Sequence, residues 1–188
     1  MDLINRKRIS VTMDAEADQR RAGLRWIAAL CAGALAIDVN SALLALSDAA
    51  GLRTAHGGLL RFLQTVGAPL AEASGIGAWW RETLVPTTSG PWFGIAFHIG
   101  VGLVMAVTYA ALPVHRIGLR PVAGGLIYAG AVWLLNAALI LPAIGEGFAG
   151  SHNLTLSGMA MFAAIHTVFF VLLAVLHDRL CRPPTFDA

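Results

Sequence analysis

The 188-residue chain is predicted to be an all-α integral membrane protein, a four-transmembrane-helix bundle with both termini cytoplasmic. Three observations predict this. The chain is 57% apolar and 13% charged, with a mean hydropathy of +0.69, whereas a soluble domain needs far more charge to wet its surface. The charges sit in the tails and connections, leaving four apolar runs long enough to cross a bilayer. The basic residues occur on the N-terminal tail, the second connection and the C-terminal tail and are absent from the third connection, while Arg53, Arg61 and Arg81 of the long first connection are diluted among acids, a pattern that fits the positive-inside rule.

Residues 1–23 are polar and mixed in charge, and Arg6, Lys7, Arg8, Arg20, Arg21 and Arg25 place them in the cytoplasm. This stretch is expected to be a tail, partly disordered with at most a short surface helix. The membrane domain covers 24–182, and its first span is 24–46. The connection over 47–91 is too long for a turn and too apolar for plain linker. Within it Leu59, Leu60, Leu63, Val66 and Leu70 fall near one helical side, predicting one or two short interfacial helices on the periplasmic face. Trp79, Trp80, Trp92 and Phe93 suit the aromatic belt there. The second span, 92–112, ends in a short link whose Arg116 and Arg120 favour the cytoplasm. The third is 122–141, followed by a connection with Glu146 and no Lys or Arg. The fourth is 157–177, with Arg179 and Arg182 after it and a short tail at 183–188.

Each span carries one conspicuous polar residue: Asp38, His98, Asn136 and His166. Such residues are costly in hydrocarbon and by default mark a function. At about 1.5 Å per residue, Asp38 lies roughly 12 Å from the outer end of its span, His98 and Asn136 about 9 Å, and His166 about 13 Å. One polar layer in the outer half of the membrane is therefore expected. Asp38, with Ser41 on its side, is the leading member, and Asn40 is expected to point elsewhere. Gly94, His98, Gly102 and Ala106 form a small-residue stripe that lets a neighbouring helix approach, and Tyr109 returns to that face. Asn136 is expected as interhelical support, and Glu146 and His152 stand above the layer in the outer connection. His115 and His177 read as interfacial. Cys31 and Cys181 form no CxxC or metal spacing, so both read as reduced thiols.

An Asp–His–His–Asn layer can handle or sense a proton, a metal ion or a small ligand. His98, His166 and Asp38 are the candidate ligands for a divalent metal such as Zn²⁺, with Asn136 behind them. Haem b held between His98 and His166 is an alternative cofactor. A non-catalytic alternative is a small subunit or scaffold of a membrane complex, or a homo-oligomer, with the lipid bilayer as constant partner. No nucleotide loop, nucleophile triad or catalytic carboxylate pair is present, so an enzyme acting on soluble substrates is not expected. The net charge of +2 gives no basis for nucleic-acid binding.

The segment from His98 to Tyr109, the stretch GGLIYAGAVWLLNAALILPAIG and His166 resemble a loosely defined group of small bacterial inner-membrane proteins of unknown function. The group shows a His–x₃–Gly–x₆–Tyr second span, a Gly-rich third span ending in Leu-Pro, and a His in the last span. The resemblance covers the C-terminal half and leaves out 47–91. It implies a four-helix fold in a bacterial inner membrane, and no activity.

Overall fold

The computed structural model describes residues 2–55, 57–112 and 118–182, with 2–18, 20 and 21 described by backbone alone. The expected tail at 183–188, His115 and Arg116 lie outside these residues. Every regular element among those described is helical.

Helix α1 runs Asp2–Ala49, so the expected loose tail is instead the first half of one continuous helix. The physical reason is local. Residues 2–22 contain neither Gly nor Pro and are rich in Arg, Ala and Asp. Arg and Ala are strong helix formers, and nothing breaks the run. Its portion Ala22–Ala49 is long and apolar enough to cross a membrane, as are Pro91–Ala111 (α4), Pro121–Ala143 (α5) and Leu156–Cys181 (α6). α4 and α5 both open with Pro, at the position where a missing N–H costs nothing. α6 opens with Thr155 capping the Gly158 N–H at 3.2 Å.

The predicted helices of the long connection are α2, Gly58–Ala73, and α3. The latter opens as Gly77–Trp79, widens into a π turn at Trp80–Leu84 and closes over Val85–Thr88. α5 has the same irregularity: Pro121–Leu135, a π turn at Asn136–Ile140, then Leu141–Ala143. One cause accounts for both. In each, the residue just before a proline bonds back five positions, Val85 N–H to Trp80 O and Leu141 N–H to Asn136 O. Pro86 and Pro142 follow directly, and a proline ring crowds the preceding turn of a regular helix. A single wide turn relieves the clash.

The four long helices pack in the order α4, α1, α6, α5. α1 and α4 approach through small residues. A Cβ on Gly102 would fall 2.7 Å from the Ile37 side chain, and one on Gly33 would fall 2.5 Å from Ala106 Cβ. α5 meets α6 through Gly125 in the same way. The sequence neighbours α4 and α5 are bridged by aromatics toward the end where α4 finishes and α5 begins. Tyr128 donates its OH to Met105 O at 3.2 Å, and it lies 5.7 Å from the Tyr109 ring and edge-on to Phe170 at 4.7 Å. With Ala36, Ala106, Phe169 and Leu173 these rings form the main core.

A smaller core at the opposite end joins Ala55, Leu141 and Phe162, flanked by Ile144 and Leu154. It is closed from above by the segment leading into α2. Arg61 of α2 pairs with Glu146 at 2.6 Å, and Gln64 donates to Thr88 of α3 at 2.8 Å. Arg81 and Glu72 form a second pair between α2 and α3. This lid rests directly on α6, because a Cβ on Gly158 would overlap the carbonyl oxygen of Arg53. Gly158→Ala is therefore expected to lift the 50–55 segment and destabilise the fold by about 1–3 kcal/mol. The readout is a lower melting temperature with new protease cleavage confined to that segment.

Candidate functional site

Helical geometry puts residues 29, 32, 33, 36, 37, 40, 44 and 47 of α1 on one side, at the 3.6-residue period. All eight are buried. Half are Ala or Gly, which lets α4 and α6 close on this face, and its one amide is Asn40, only 1% exposed. Asp38 is two positions away, about 200° around the helix, and is exposed on the outer surface with Cys31, Ala34 and Ala42.

This corrects the expected inward side chain of α1. Asp38 and Asn40 do point different ways, but Asn40 enters the bundle and Asp38 leaves it. A buried carboxylate needs a countercharge or several donors, whereas an amide both donates and accepts and satisfies itself more cheaply. The sequence carried a usable signal, the small-residue stripe Ala29, Ala32, Gly33, Ala36 ending on Asn40.

Asn40 links three helices. Its Nδ2 donates to Ile165 O of α6 at 3.3 Å, and its Oδ1 meets His98 Nε2 of α4 at 3.1 Å. The chemistry orients every group. A backbone carbonyl can only accept, so the amide nitrogen faces Ile165 and the oxygen faces His98. His98 then carries its proton on Nε2. The neighbouring His166, half-buried, donates Nδ1–H to Phe162 O at 2.9 Å and lies 4.2 Å from the Phe162 ring. A neutral His166 therefore keeps an acceptor lone pair at Nε2. His166 directly follows Ile165, whose carbonyl takes the Asn40 amide.

Asn136 begins the π turn of α5, and its Oδ1 is buried with no hydrogen-bond partner among the described residues. His98, Asn40 and the His166 turn are thus brought together by hydrogen bonds that do not include Asn136. Among the described residues, no three His, Cys, Asp or Glu side chains converge as a metal site. The candidate Zn²⁺ set of His98, His166 and Asp38 is split by the outward turn of Asp38.

The supporting residues sort by depth. Glu146 is held by Arg61, and His152 Nδ1 donates to Gly145 O at 3.0 Å, so both belong to the roof above the layer. Gly102 serves the α1–α4 contact. Tyr109 lies in the opposite half, edge-on to the buried ring of His177 at 5.8 Å. Ser41 is half-buried on the flank of α1 between the Asn40 and Asp38 sides.

The fold and this layer define a class: an all-helical, four-span membrane protein with a hydrogen-bonded polar stratum inside the bundle. Compared with protein-family models, with curated proteins and with solved structures, the chain matches none.

Proposed function

We propose that this is a bacterial inner-membrane protein with cytoplasmic termini, whose periplasmic-half layer handles or senses a proton or a small hydrogen-bond-donating ligand. The observation that carries this reading is the chain from His98 through Asn40 to the α6 backbone beside His166. Two acceptors support it further, the Nε2 of a neutral His166 and the buried Oδ1 of Asn136. Acceptors held in low dielectric suit a cationic or donor ligand. On the periplasmic side, α2 and α3 lie on the membrane surface. Leu63, Val66, Leu70, Trp79 and Trp92 are all exposed large hydrophobics of that region, as a helix pair dipping into the interface requires.

Two imidazoles in one buried layer cannot both carry charge cheaply. The melting temperature of the purified protein should therefore fall as the pH drops below about 6.5, the ordinary imidazole value. His98→Gln and His166→Gln should each flatten that profile; unchanged profiles in both variants sink the proposal. Haem ligation through His98 Nε2 would have to displace Asn40. A Soret band after haem supplementation that vanishes in His166→Ala would establish it nonetheless.

A second reading, a subunit that self-associates or docks on a membrane partner, has its own observation. Asp38 is exposed in an apolar span, where a bare carboxylate costs about 2.5–3.5 kcal/mol. A neutral carboxyl both donates and accepts, so two copies related by a two-fold axis can satisfy each other. Cys31, two turns away and exposed on the same side, is a built-in reporter. Oxidative cross-linking in native membranes should give a Cys31-linked dimer in a Cys181→Ser background. Loss of that dimer in Asp38→Leu but not in Asp38→Asn is the expected pattern, and monomer in all three counts against self-association.

A further inference from the structure

We propose that the cavity at the basic end of the bundle binds a phosphate group, presented by an anionic phospholipid, with Arg25 as the anchoring cation. The inference goes beyond the polar layer and does not depend on it; it rests on this end of the spans facing lipid headgroups. The cavity, about 180 Å³, lies between α1, α6 and the start of α5. Its apolar wall is Tyr109, Leu119, Pro121 and Ala174, and its charged residues are Arg25 and Asp178.

Four features select the ligand. The Arg25 Nε–H is buried and has no hydrogen-bond partner among the described residues, so the site holds a charged donor with no acceptor. The guanidinium is fixed against the Trp26 ring, 4.9 Å from its centroid, which presents its planar fork in one orientation. Asp178 is engaged by Arg182 at 2.7 Å, which neutralises the carboxylate closest to the site. Cys181 Sγ meets His177 Nε2 at 3.7 Å, so these two neighbours turn to each other. What remains is one oriented cation opposite an apolar wall. Phosphate oxygens match the fork, and the apolar wall suits the glycerol and first acyl carbons that a free anion lacks. Basic pockets between spans at the cytoplasmic surface hold anionic headgroups on this principle.

The test uses the full chain, delipidated in mild detergent and titrated with phosphatidylglycerol, phosphatidylcholine or inorganic phosphate, with bound molecules counted by native mass spectrometry. Wild type should retain phosphatidylglycerol over phosphatidylcholine. Arg25→Gln should reduce that retention roughly tenfold, as loss of a charge-assisted bond implies, and Arg25→Lys should retain part of it. Should Arg25→Gln fail to fold, Leu119→Trp, which fills the apolar wall from a surface position, should produce the same loss with Arg25 intact. Equal retention of the two lipids by wild type, or unchanged retention in whichever of Arg25→Gln and Leu119→Trp folds, overturns the proposal. Displacement of the lipid by an equal concentration of inorganic phosphate overturns the lipid assignment.

Discussion

Asn40→Leu is expected to destabilise the protein by about 1–3 kcal/mol, because it removes the amide that joins His98 Nε2 on one helix to Ile165 O on another. Leucine keeps nearly the same volume, so the effect reports lost hydrogen bonds rather than a cavity. Single interhelical hydrogen bonds in membranes average only about 0.6 kcal/mol and reach about 1.7. The larger value follows because Asn40 serves two helices at once and is 1% exposed, with no water to replace its partners. Denaturant unfolding in detergent checks it. The double variant Asn40→Leu/His98→Leu should cost less than the sum of the two single variants, since the two side chains share one hydrogen bond. Asp38→Asn, on the exposed side, should change stability of the monomer by less than about 0.5 kcal/mol. If Asp38→Asn were the more damaging substitution, the assignment of inner and outer faces of α1 would be wrong.

Gly125→Leu should be the most disruptive single substitution in the α5–α6 contact. Even a Cβ at Gly125 would fall 2.8 Å from Val171 Cα and 2.9 Å from Phe170 O, both backbone atoms, and 3.1 Å from Ala174 Cβ. A backbone cannot turn aside as a side chain can, so the two helices must separate. Gly125→Ala is expected to cost about 1–3 kcal/mol, and leucine more. Separation also pulls Tyr128 away from Phe170 and Met105, one turn above Gly125. Near-ultraviolet circular dichroism should therefore lose tyrosine signal while far-ultraviolet helicity persists. Gly130, on the same helix with open space around its Cβ position, is the control: Gly130→Ala should be tolerated.

Much of this molecule was legible before any coordinates. Four apolar runs long enough for a bilayer predicted the four span-length apolar segments within a few residues at each end, because length and hydrophobicity alone decide whether a segment can cross. The helices of 47–91 followed from the spacing of Leu59, Leu63, Val66 and Leu70. His98 and His166 were legible as a pair by depth. The long N-terminal helix was missed because polarity was read as disorder, although 2–22 lacks any breaker. The π turns went unseen, though Pro86 and Pro142 are their visible cause.

What the sequence by itself determined was which segments are long and apolar enough to cross a membrane, and the opposition of Asp38 to Asn40, since these depend on length, composition and helical period. Only the tertiary structure decided which side of α1 is inside. Periodicity fixes relative angles around a helix but not where its neighbours stand. The Ala–Gly side of α1 admits α4 and α6 closely, and that close approach carries Asn40 inward and turns Asp38 out. Local chemistry marked Asp38 as the residue hardest to bury, and packing resolved that difficulty by leaving it on the surface.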